Sequence, residues 1–156
     1  MKIACLGGGP AGLYFAISMK LRDPSHDVTV IERNRADDTF GWGVVLSDET
    51  LANLHANDPE SADSIKEYFA YWDDIALVHQ GQRLVSSGHG FCGIGRKRLL
   101  LLLQARAAEL GVTLQFETDI EDIDALCAAH DLVVAADGVN SRVRAHFDAA
   151  FKPEID

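Results

Sequence analysis

Short apolar runs alternate along the chain with segments in which apolar residues recur at helical spacing. Four runs have the length of a strand buried in a parallel sheet, namely residues 2–6, 28–31, 112–116 and 132–136. Three segments have helical spacing, namely residues 11–22, 99–110 and 123–129. This alternation predicts an α/β protein with a Rossmann-like parallel sheet flanked by helices.

Two of the predicted helices differ in how much of their surface is apolar. The first has a single apolar face, formed by Leu13, Ala16, Ile17 and Leu21. Residues 99–110 are apolar almost all round, which predicts a buried helix, and Gly111 is placed to end it at the C′ position.

The middle of the chain does not follow this alternation of strands and helices. Ser47 is placed to cap a helix that extends to about residue 57, and residues 59–71 predict a further helix. Its larger apolar residues would join the core, namely Ile65, Tyr68, Phe69 and Trp72. Residues 75–78 and 83–86 predict a hairpin around Gln80 and Gly81, and therefore the start of a second, antiparallel sheet.

Composition excludes several classes of function. With 156 residues, 47% of them hydrophobic, the chain is long enough for one domain with a core. A formal net charge of −10 disfavours binding to nucleic acid or to an anionic membrane surface. The three widely spaced cysteines, Cys5, Cys92 and Cys127, indicate reduced thiols in a cytoplasmic protein. No Cys or His pair has metal-ligand spacing, and no apolar run is long enough to span a membrane.

The first strand leads directly into a G-x-G-x-x-G motif. Its glycines have separate tasks, because Gly7 permits a tight turn, Gly9 lets the backbone approach a pyrophosphate, and Gly12 lets helix and strand pack closely. The helix that follows directs free N–H groups toward phosphates. Glu32 lies 20 residues beyond Gly12, where a carboxylate accepts hydrogen bonds from ribose hydroxyls. Because a carboxylate repels a 2′-phosphate, FAD or NAD is favoured over NADP at this position.

Two later segments carry further candidate chemistry. Asp137 and Gly138 follow the last apolar run, at the sheet edge where open α/β sheets bind ligands, although Asp137 could also simply cap the next turn. The basic residues 96–98 open a helix, where the dipole disfavours positive charge, so a bound anion would explain them. In residues 40–46, glycines flank Trp42, which suggests either close approach of the backbone to a flat ligand or a packed turn.

Three separated motifs resemble those of the FAD-dependent aromatic hydroxylases, which are single-component flavoprotein monooxygenases. They are residues 7–12 with Glu32 and Arg33, Arg96 with Leu99 and Leu103 behind it, and residues 131–138 continuing to Ser141 and Arg144. Residues 40–46 and 88–98 most resemble the salicylyl-CoA hydroxylase and anthraniloyl-CoA monooxygenase group.

The resemblance implies a set of cofactor contacts. The glycine motif, including Pro10 and Ala11, would hold the FAD pyrophosphate. The other implied contacts are Glu32 at the adenosine ribose, Arg33 beside the adenosine, Gly43 and Val44 near the flavin ring, Arg96 by the ribityl and phosphate region, and Asp137 and Gly138 near the pyrophosphate. Reduction of FAD by NADH or NADPH would then allow transfer of one oxygen atom from O2 to an aromatic substrate, with an aryl-CoA thioester as one candidate.

The resemblance also implies that the chain is only part of a longer enzyme. Family members are more than twice as long, and a later glycine-aspartate motif is absent. We therefore expect an N-terminal FAD-binding portion in which residues 72–95 extend toward a substrate-binding sheet, and weak or no activity in isolation. Surfaces exposed by truncation would promote self-association. The alternatives are another FAD- or NAD-dependent oxidoreductase, and a non-catalytic module that binds a nucleotide or a partner.

Overall fold

A computed structural model of the chain describes residues 1–152, and residues 153–156 lie outside the described part. The chain divides into two compact units, one formed by Met1–Asp38 with Leu103–Asp156 and the other by Thr39–Leu102. The elements in chain order are β1 (Lys2–Leu6), α1 (Pro10–Arg22), β2 (Asp27–Ile31), β3 (Gly43–Leu46), α2 (Asp48–Asn57), α3 (Pro59–Lys66), β4 (Ala70–Trp72), β5 (Ile75–His79), β6 (Gln82–Ser86), β7 (Phe91–Gly95), α4 (Arg96–Glu109), β8 (Thr113–Gln115), α5 (Ile123–Ala129), β9 (Leu132–Ala135), α6 (Arg142–His146) and α7 (Asp148–Phe151).

The first unit contains a four-stranded parallel sheet in the order β8-β2-β1-β9. In register, Leu6 of β1 is level with Ile31 of β2 and with Ala135 of β9, so these three strands end together. This is the strand order of a doubly wound nucleotide-binding fold, in which the order reverses beside the first strand. The predicted α/β class with a parallel sheet is confirmed.

The sheet is buried because its central strands are apolar on both faces. Four successive residues of β1, from Ile3 to Leu6, are buried, as are Val28 and Val30 of β2. A second group of apolar side chains packs around the ends of β1 and β2 and includes Ile123, Leu126 and Val143. Helix α1 buries Leu13, Ala16 and Ile17 of its predicted apolar face, whereas Leu21, one turn beyond Ile17 at the end of the helix, is 37% exposed.

Strand β9 differs from the prediction of full burial. Its residues are half-buried or exposed. Among the described residues β9 pairs only with β1, which makes it the edge of this sheet. The apolar run therefore correctly predicted a parallel strand. The exposure of β9 is determined by its position at the edge of the sheet.

The second unit is built from antiparallel strands and short helices. Strand β7 lies between β3 and β4 in a three-stranded sheet, and β5 pairs with β6 in a separate hairpin. The hairpin turn was predicted, and Gln80 and Gly81 both have positive φ, as a two-residue type I′ turn requires. The predicted cap of α2 is also present, because the Ser47 side chain accepts from the Thr50 amide.

Two predictions for this unit were wrong. The helix expected over residues 59–71 ends at Lys66, and a tight turn with an N–H···O bond from Tyr68 to Ile65 leads into β4. Tyr71 and Trp72 are consequently strand residues that pair with β7, and the expected aromatic core face does not form. The glycine-dense residues 91–95 form β7, because pairing with two neighbours offsets the weak strand propensity of glycine.

Helix α4 is one-sided rather than apolar on all sides. Leu99, Leu100, Leu103 and Ala107 are buried, whereas Leu101 is exposed. Gly111 has φ +80° and ends the helix as predicted, and the next amide, of Val112, donates to the carbonyl of Ala107. Among the described residues, no helix is both long and apolar enough to cross a membrane.

Candidate nucleotide-binding site

Three strands of the parallel sheet deliver candidate residues to one edge. Gly7 follows β1, Glu32 follows β2, and Asp137 follows β9 after one further residue. The Gly7 amide donates to the Ile31 carbonyl at 2.9 Å, and the Ala136 amide donates to the Leu6 carbonyl at 2.7 Å. The three loops therefore leave the sheet side by side, at the carboxyl ends of the strands where such sheets bind ligands.

Gly7 and Gly12 are required by packing within the chain. A Cβ on Gly7 would lie 2.3 Å from the Ala136 carbonyl oxygen, and Gly7 has φ +107°. A Cβ on Gly12 would lie 2.0 Å from the Gly7 carbonyl oxygen. These two glycines thus bring the first turn, α1 and the β9 loop into backbone contact.

Gly9 differs from both of them. A Cβ built on Gly9 meets no atom within 4 Å, and its φ of −73° is one that any residue adopts. No packing contact among the described residues requires a glycine at this position. Open space at a glycine is what close approach of a ligand backbone requires.

The start of α1 is suited to an anion. Gly9 is its N-cap and supplies no side-chain hydrogen bond, Pro10 occupies the first turn, and the first turn has no acidic residue. Ala11 is exposed there. The helix has 13 residues, so its N-terminus presents a full dipole and free amide groups.

The Glu32 carboxylate lies half-buried beside this turn. Its Oε2 accepts a hydrogen bond of 2.7 Å from the backbone amide of Gly8. Its Oε1 accepts from the backbone amide of Asn34 at 2.8 Å and from the Asn34 side-chain Nδ2 at 2.6 Å. The ribose-binding acid predicted from spacing is therefore linked directly to the glycine turn, while the neighbouring Arg33 is exposed.

Asp137 caps the turn that follows β9. Its Oδ2 accepts from the amide of Arg142 at 2.7 Å and from that of Val143 at 3.3 Å. Burial raises the pKa of Asp137, but hydrogen bonds from Ser141, Val143 and Arg142 outweigh this, so its pKa is lowered. Asp137 is therefore ionised at neutral pH, and the capping role considered from the sequence is present.

Asp137 also begins a loop whose shape is held by further contacts. Gly138 has φ +84°, and the Arg144 guanidinium donates to the Val139 carbonyl. Arg142 Nη1 lies 2.6 and 2.7 Å from the two carboxylate oxygens of Asp119. The loop thus has a defined course next to the glycine turn.

The other predicted residues lie together in the second unit. Gly43 and Val44 begin β3, and Gly43 is level with Gly95, the residue before Arg96. The Arg96 amide donates to the carbonyl of Trp42 at 3.1 Å. The Arg96 Nε is buried and has no hydrogen-bond partner among residues 1–152. A buried guanidinium nitrogen without an acceptor is what an absent anionic or polar ligand would leave.

The basic start of α4 has a second explanation for one of its charges. The Arg98 guanidinium carbon lies 4.5 Å from the centre of the Tyr68 ring, a cation–π contact. Of the three basic residues at the start of α4, only Arg96 and Lys97 therefore remain to be explained by a bound anion. No cluster of three or more His, Cys, Asp or Glu side chains suited to a metal occurs within residues 1–152.

The structure thus gathers the predicted residues into two groups, one in each unit. The first group contains the glycine motif, Glu32, Asp137 and Gly138, and the second contains Gly43, Val44 and Arg96. Sequence reasoning did not single out Gly8 and Asn34, which hold the Glu32 carboxylate. A signal for Gly8 was present, because glycine occupied a position that the G-x-G-x-x-G motif leaves open.

Comparisons with known proteins extend this description. No family model matches the chain. The chain is 45% identical over 156 residues to salicyloyl-CoA 5-hydroxylase from a Streptomyces species, a match that covers all of this chain and 30% of that protein. It is 35% identical over 160 residues to protodeoxyviolaceinate monooxygenase from Chromobacterium violaceum, covering all of this chain and 42% of that protein.

A similar fold occurs among solved structures. The tetrameric form of 2-methyl-3-hydroxypyridine-5-carboxylic acid oxygenase superposes with a TM-score of 0.79 and 25% identity, covering 94% of this chain and 42% of that one. The chain therefore spans between about a third and two fifths of the length of the proteins it matches.

Proposed function

We propose that this chain, which is homologous to part of the FAD-dependent aromatic hydroxylases, supplies the FAD-binding portion of a monooxygenase that acts on an aromatic substrate. The observation that carries the proposal is the open space at Gly9. Gly7 and Gly12 would be needed by this fold whether or not it bound a nucleotide, whereas Gly9 has no such requirement within the described residues.

Within each unit, the residues present suit the chemistry of FAD. The helix dipole and free amides at the start of α1 suit the pyrophosphate, with Pro10 and Ala11 opening the helix. Glu32 suits the adenosine ribose hydroxyls, with Arg33 near the adenosine. In the second unit, Gly43 and Val44 are assigned to the flavin ring and Arg96 to the ribityl and phosphate region, where its unpartnered Nε would find an acceptor.

Within the reaction, the chain's own residues bind and orient. Electron uptake from NADH or NADPH and activation of O2 are the chemistry that bound FAD supplies. Asp137 stays ionised, and because its Oδ2 holds the Arg142 and Val143 amides, it keeps the β9 loop in place beside the pyrophosphate position. Gly138, at φ +84°, lets the backbone turn there without strain. None of these residues is assigned a proton-transfer role.

The substrate is an aromatic small molecule, and the relatives favour one attached to a carrier. One relative is named for a CoA thioester and another for an anthranilyl group on an aryl-carrier protein. An aryl-CoA thioester is therefore the first candidate.

We expect weak or no hydroxylation by the 156-residue chain alone. Substantial turnover of an aryl-CoA thioester by this chain would contradict that expectation.

The test is titration of the purified chain with FAD, followed by a visible absorption spectrum after desalting. Roughly micromolar affinity is expected, with at least a tenfold loss in Gly9→Ala and no loss of folding stability. Arg22→Ala, at the opposite end of α1, is the matched control and should bind as the wild type does. Absence of flavin binding by the wild-type chain would refute the proposal, and a titration with NAD would then test the alternative oxidoreductase.

A second candidate function, self-association, is favoured by the β5–β6 hairpin. One face carries Ile75, Leu77 and Leu84 and the other carries Val78 and Val85, and all five are at least 44% exposed. An isolated two-stranded hairpin is marginally stable, and an apolar, unprotected edge favours pairing with another chain. We propose that residues 72–95 extend toward a substrate-binding sheet, and that in the isolated 156-residue chain a second copy covers the exposed apolar surface of the hairpin.

Sedimentation velocity tests this second function. The wild-type chain is expected to associate with increasing concentration, and a double change of Leu77 and Leu84 to Lys should keep it monomeric. Gln82→Lys, at an exposed polar position of the same hairpin, is the control for added charge. A wild-type chain that stays monomeric at all concentrations would remove this candidate.

A further inference from the structure

The Glu32 carboxylate is already held by the chain before any ligand is considered. It accepts three hydrogen bonds, one from the Gly8 amide and two from Asn34. All three donors are neutral, so they orient the carboxylate without neutralising its charge. Two of the three come from one residue.

The backbone on both sides of this contact is fixed by the segment after β8. The Glu32 amide donates to the Gln115 carbonyl at 2.8 Å, and the Thr118 amide donates back to the Glu32 carbonyl at 3.0 Å. The Glu117 amide donates to the Asn34 carbonyl at 3.0 Å, with Glu117 at φ +52°. Three backbone hydrogen bonds beyond the end of β2 therefore join residues 32–34 to residues 115–118 and hold Asn34 in position beside Glu32.

Gly8 completes the arrangement from the other side. A Cβ on Gly8 would lie 2.9 Å from the Glu32 Cβ and 3.1 Å from its Cγ. The Glu32 side chain thus lies across the buried Gly8, and a side chain at position 8 would push it away. Glycine at this position is explained by Glu32, not by the turn.

Counting the acceptor sites of the Glu32 carboxylate shows which of its oxygens can accept a further hydrogen bond. A carboxylate has about four acceptor sites, two on each oxygen. Asn34 occupies both sites of Oε1, and Gly8 occupies one site of Oε2. Oε2 therefore retains one site, on the oxygen bonded to the glycine turn.

We infer that Asn34 is a positioning residue for nucleotide recognition: by holding Oε1 with two hydrogen bonds, it presents Oε2 of Glu32 to the ribose hydroxyls of an adenine dinucleotide. This inference rests on the proposed function, because it assigns the ligand of the same site. Asn34 itself does not touch the ribose. Its side chain acts only through Glu32.

The experiment compares ligands with and without ribose hydroxyls. The affinities of FAD, ADP and 2′,3′-dideoxy-ADP are measured for the wild type, Asn34→Ala, Asn34→Asp and Glu32→Gln, using competition with FAD for the weaker ligands. Asn34→Ala is expected to weaken FAD and ADP roughly tenfold and to leave dideoxy-ADP unchanged. Asn34→Asp keeps the shape but sets a second carboxylate against Glu32, so its loss should be larger.

A purely structural role for Asn34 gives a different pattern. In that case the Asn34 substitutions would weaken binding of all three ligands equally, and they would do so also when combined with Glu32→Gln. If Asn34 acts only by positioning Glu32, its substitution has no further effect on affinity once Glu32 is replaced by Gln. Circular dichroism and thermal unfolding of each variant without ligand verify folding, and Asn53→Ala, on exposed α2, is the matched control. Equal losses for ADP and dideoxy-ADP in both Asn34 variants would overturn the inference alone. Absence of FAD and ADP binding by the wild type would overturn the proposed function and this inference with it.

Discussion

A Cβ atom on Gly12 would lie 2.0 Å from the carbonyl oxygen of Gly7, so α1 and the turn before it touch through backbone alone. This contact belongs to the fold and needs no ligand. It separates the glycines of one motif into those that the chain requires for packing and one, Gly9, that it does not.

The first prediction concerns these glycines. Gly12→Ala should destabilise the ligand-free chain by about 1–3 kcal/mol or more, because neither the Gly7 carbonyl nor the helix can move without disturbing β9. Gly9→Ala should be nearly neutral, because alanine adopts its φ and loses less entropy on folding, and this gain of about 0.4–1 kcal/mol offsets the poorer fit of alanine at a helix N-cap. Urea unfolding without FAD measures both. Equal losses in the two variants would contradict the packing difference.

The second prediction concerns Arg96. Replacing it with Met removes a buried Nε that has no partner among the described residues, so the ligand-free stability should be unchanged or higher by about 1 kcal/mol. FAD affinity should nevertheless fall by about tenfold. The measurements are thermal unfolding without ligand and a fluorescence titration with FAD.

The control for Arg96 is its helix neighbour Arg98. Arg98→Met loses the contact with Tyr68 and should cost about 0.5–1 kcal/mol of stability, while FAD affinity stays unchanged. If both variants lose the same affinity, net charge at the start of α4 and not a specific contact is responsible.

The third prediction concerns Asp137 and pH. Because its pKa is lowered in the folded chain, the carboxylate adds stability that is present above its ordinary value of 3.8 and is lost as the pH falls through the lowered value. Asp137→Asn should therefore be less stable than the wild type by about 1 kcal/mol at pH 7, with the difference shrinking below pH 3.8. Urea unfolding as a function of pH measures it. Glu121→Gln, at an exposed carboxyl, is the control for exchanging a carboxylate for an amide.

The fourth prediction concerns the cysteines. Burial raises the pKa of Cys5 to about 11, and burial with the nearby Asp48 charge raises the pKa of Cys92. Both thiols are buried, whereas Cys127 is half-buried. A thiol reagent should therefore label one site rapidly in the native chain, and Cys127→Ser should abolish that fast phase. Rapid labelling of two or more sites would show that the sheet opens.

The sequence alone determined the elements whose signals are local. The order β1, α1, β2 and the helix α5 were predictable because each combines apolar periodicity with a turn or capping residue. The hairpin was predictable because Gln80–Gly81 stands between two short apolar strands. The resemblance to the flavin-dependent hydroxylases rested on motifs of the same local kind, and it was confirmed.

Tertiary structure alone decided what depends on neighbours distant in sequence. Residues 70–72 and 91–95 became strands because they pair with each other, although periodicity placed residues 70 and 71 at the end of a helix. The exposure of β9 followed from its edge position, which an apolar run does not encode. The separate tasks of Gly7, Gly8 and Gly9, and the hold of Asn34 on Glu32, appeared only once strands remote in sequence lay side by side, because a close contact is a property of two segments and not of either one.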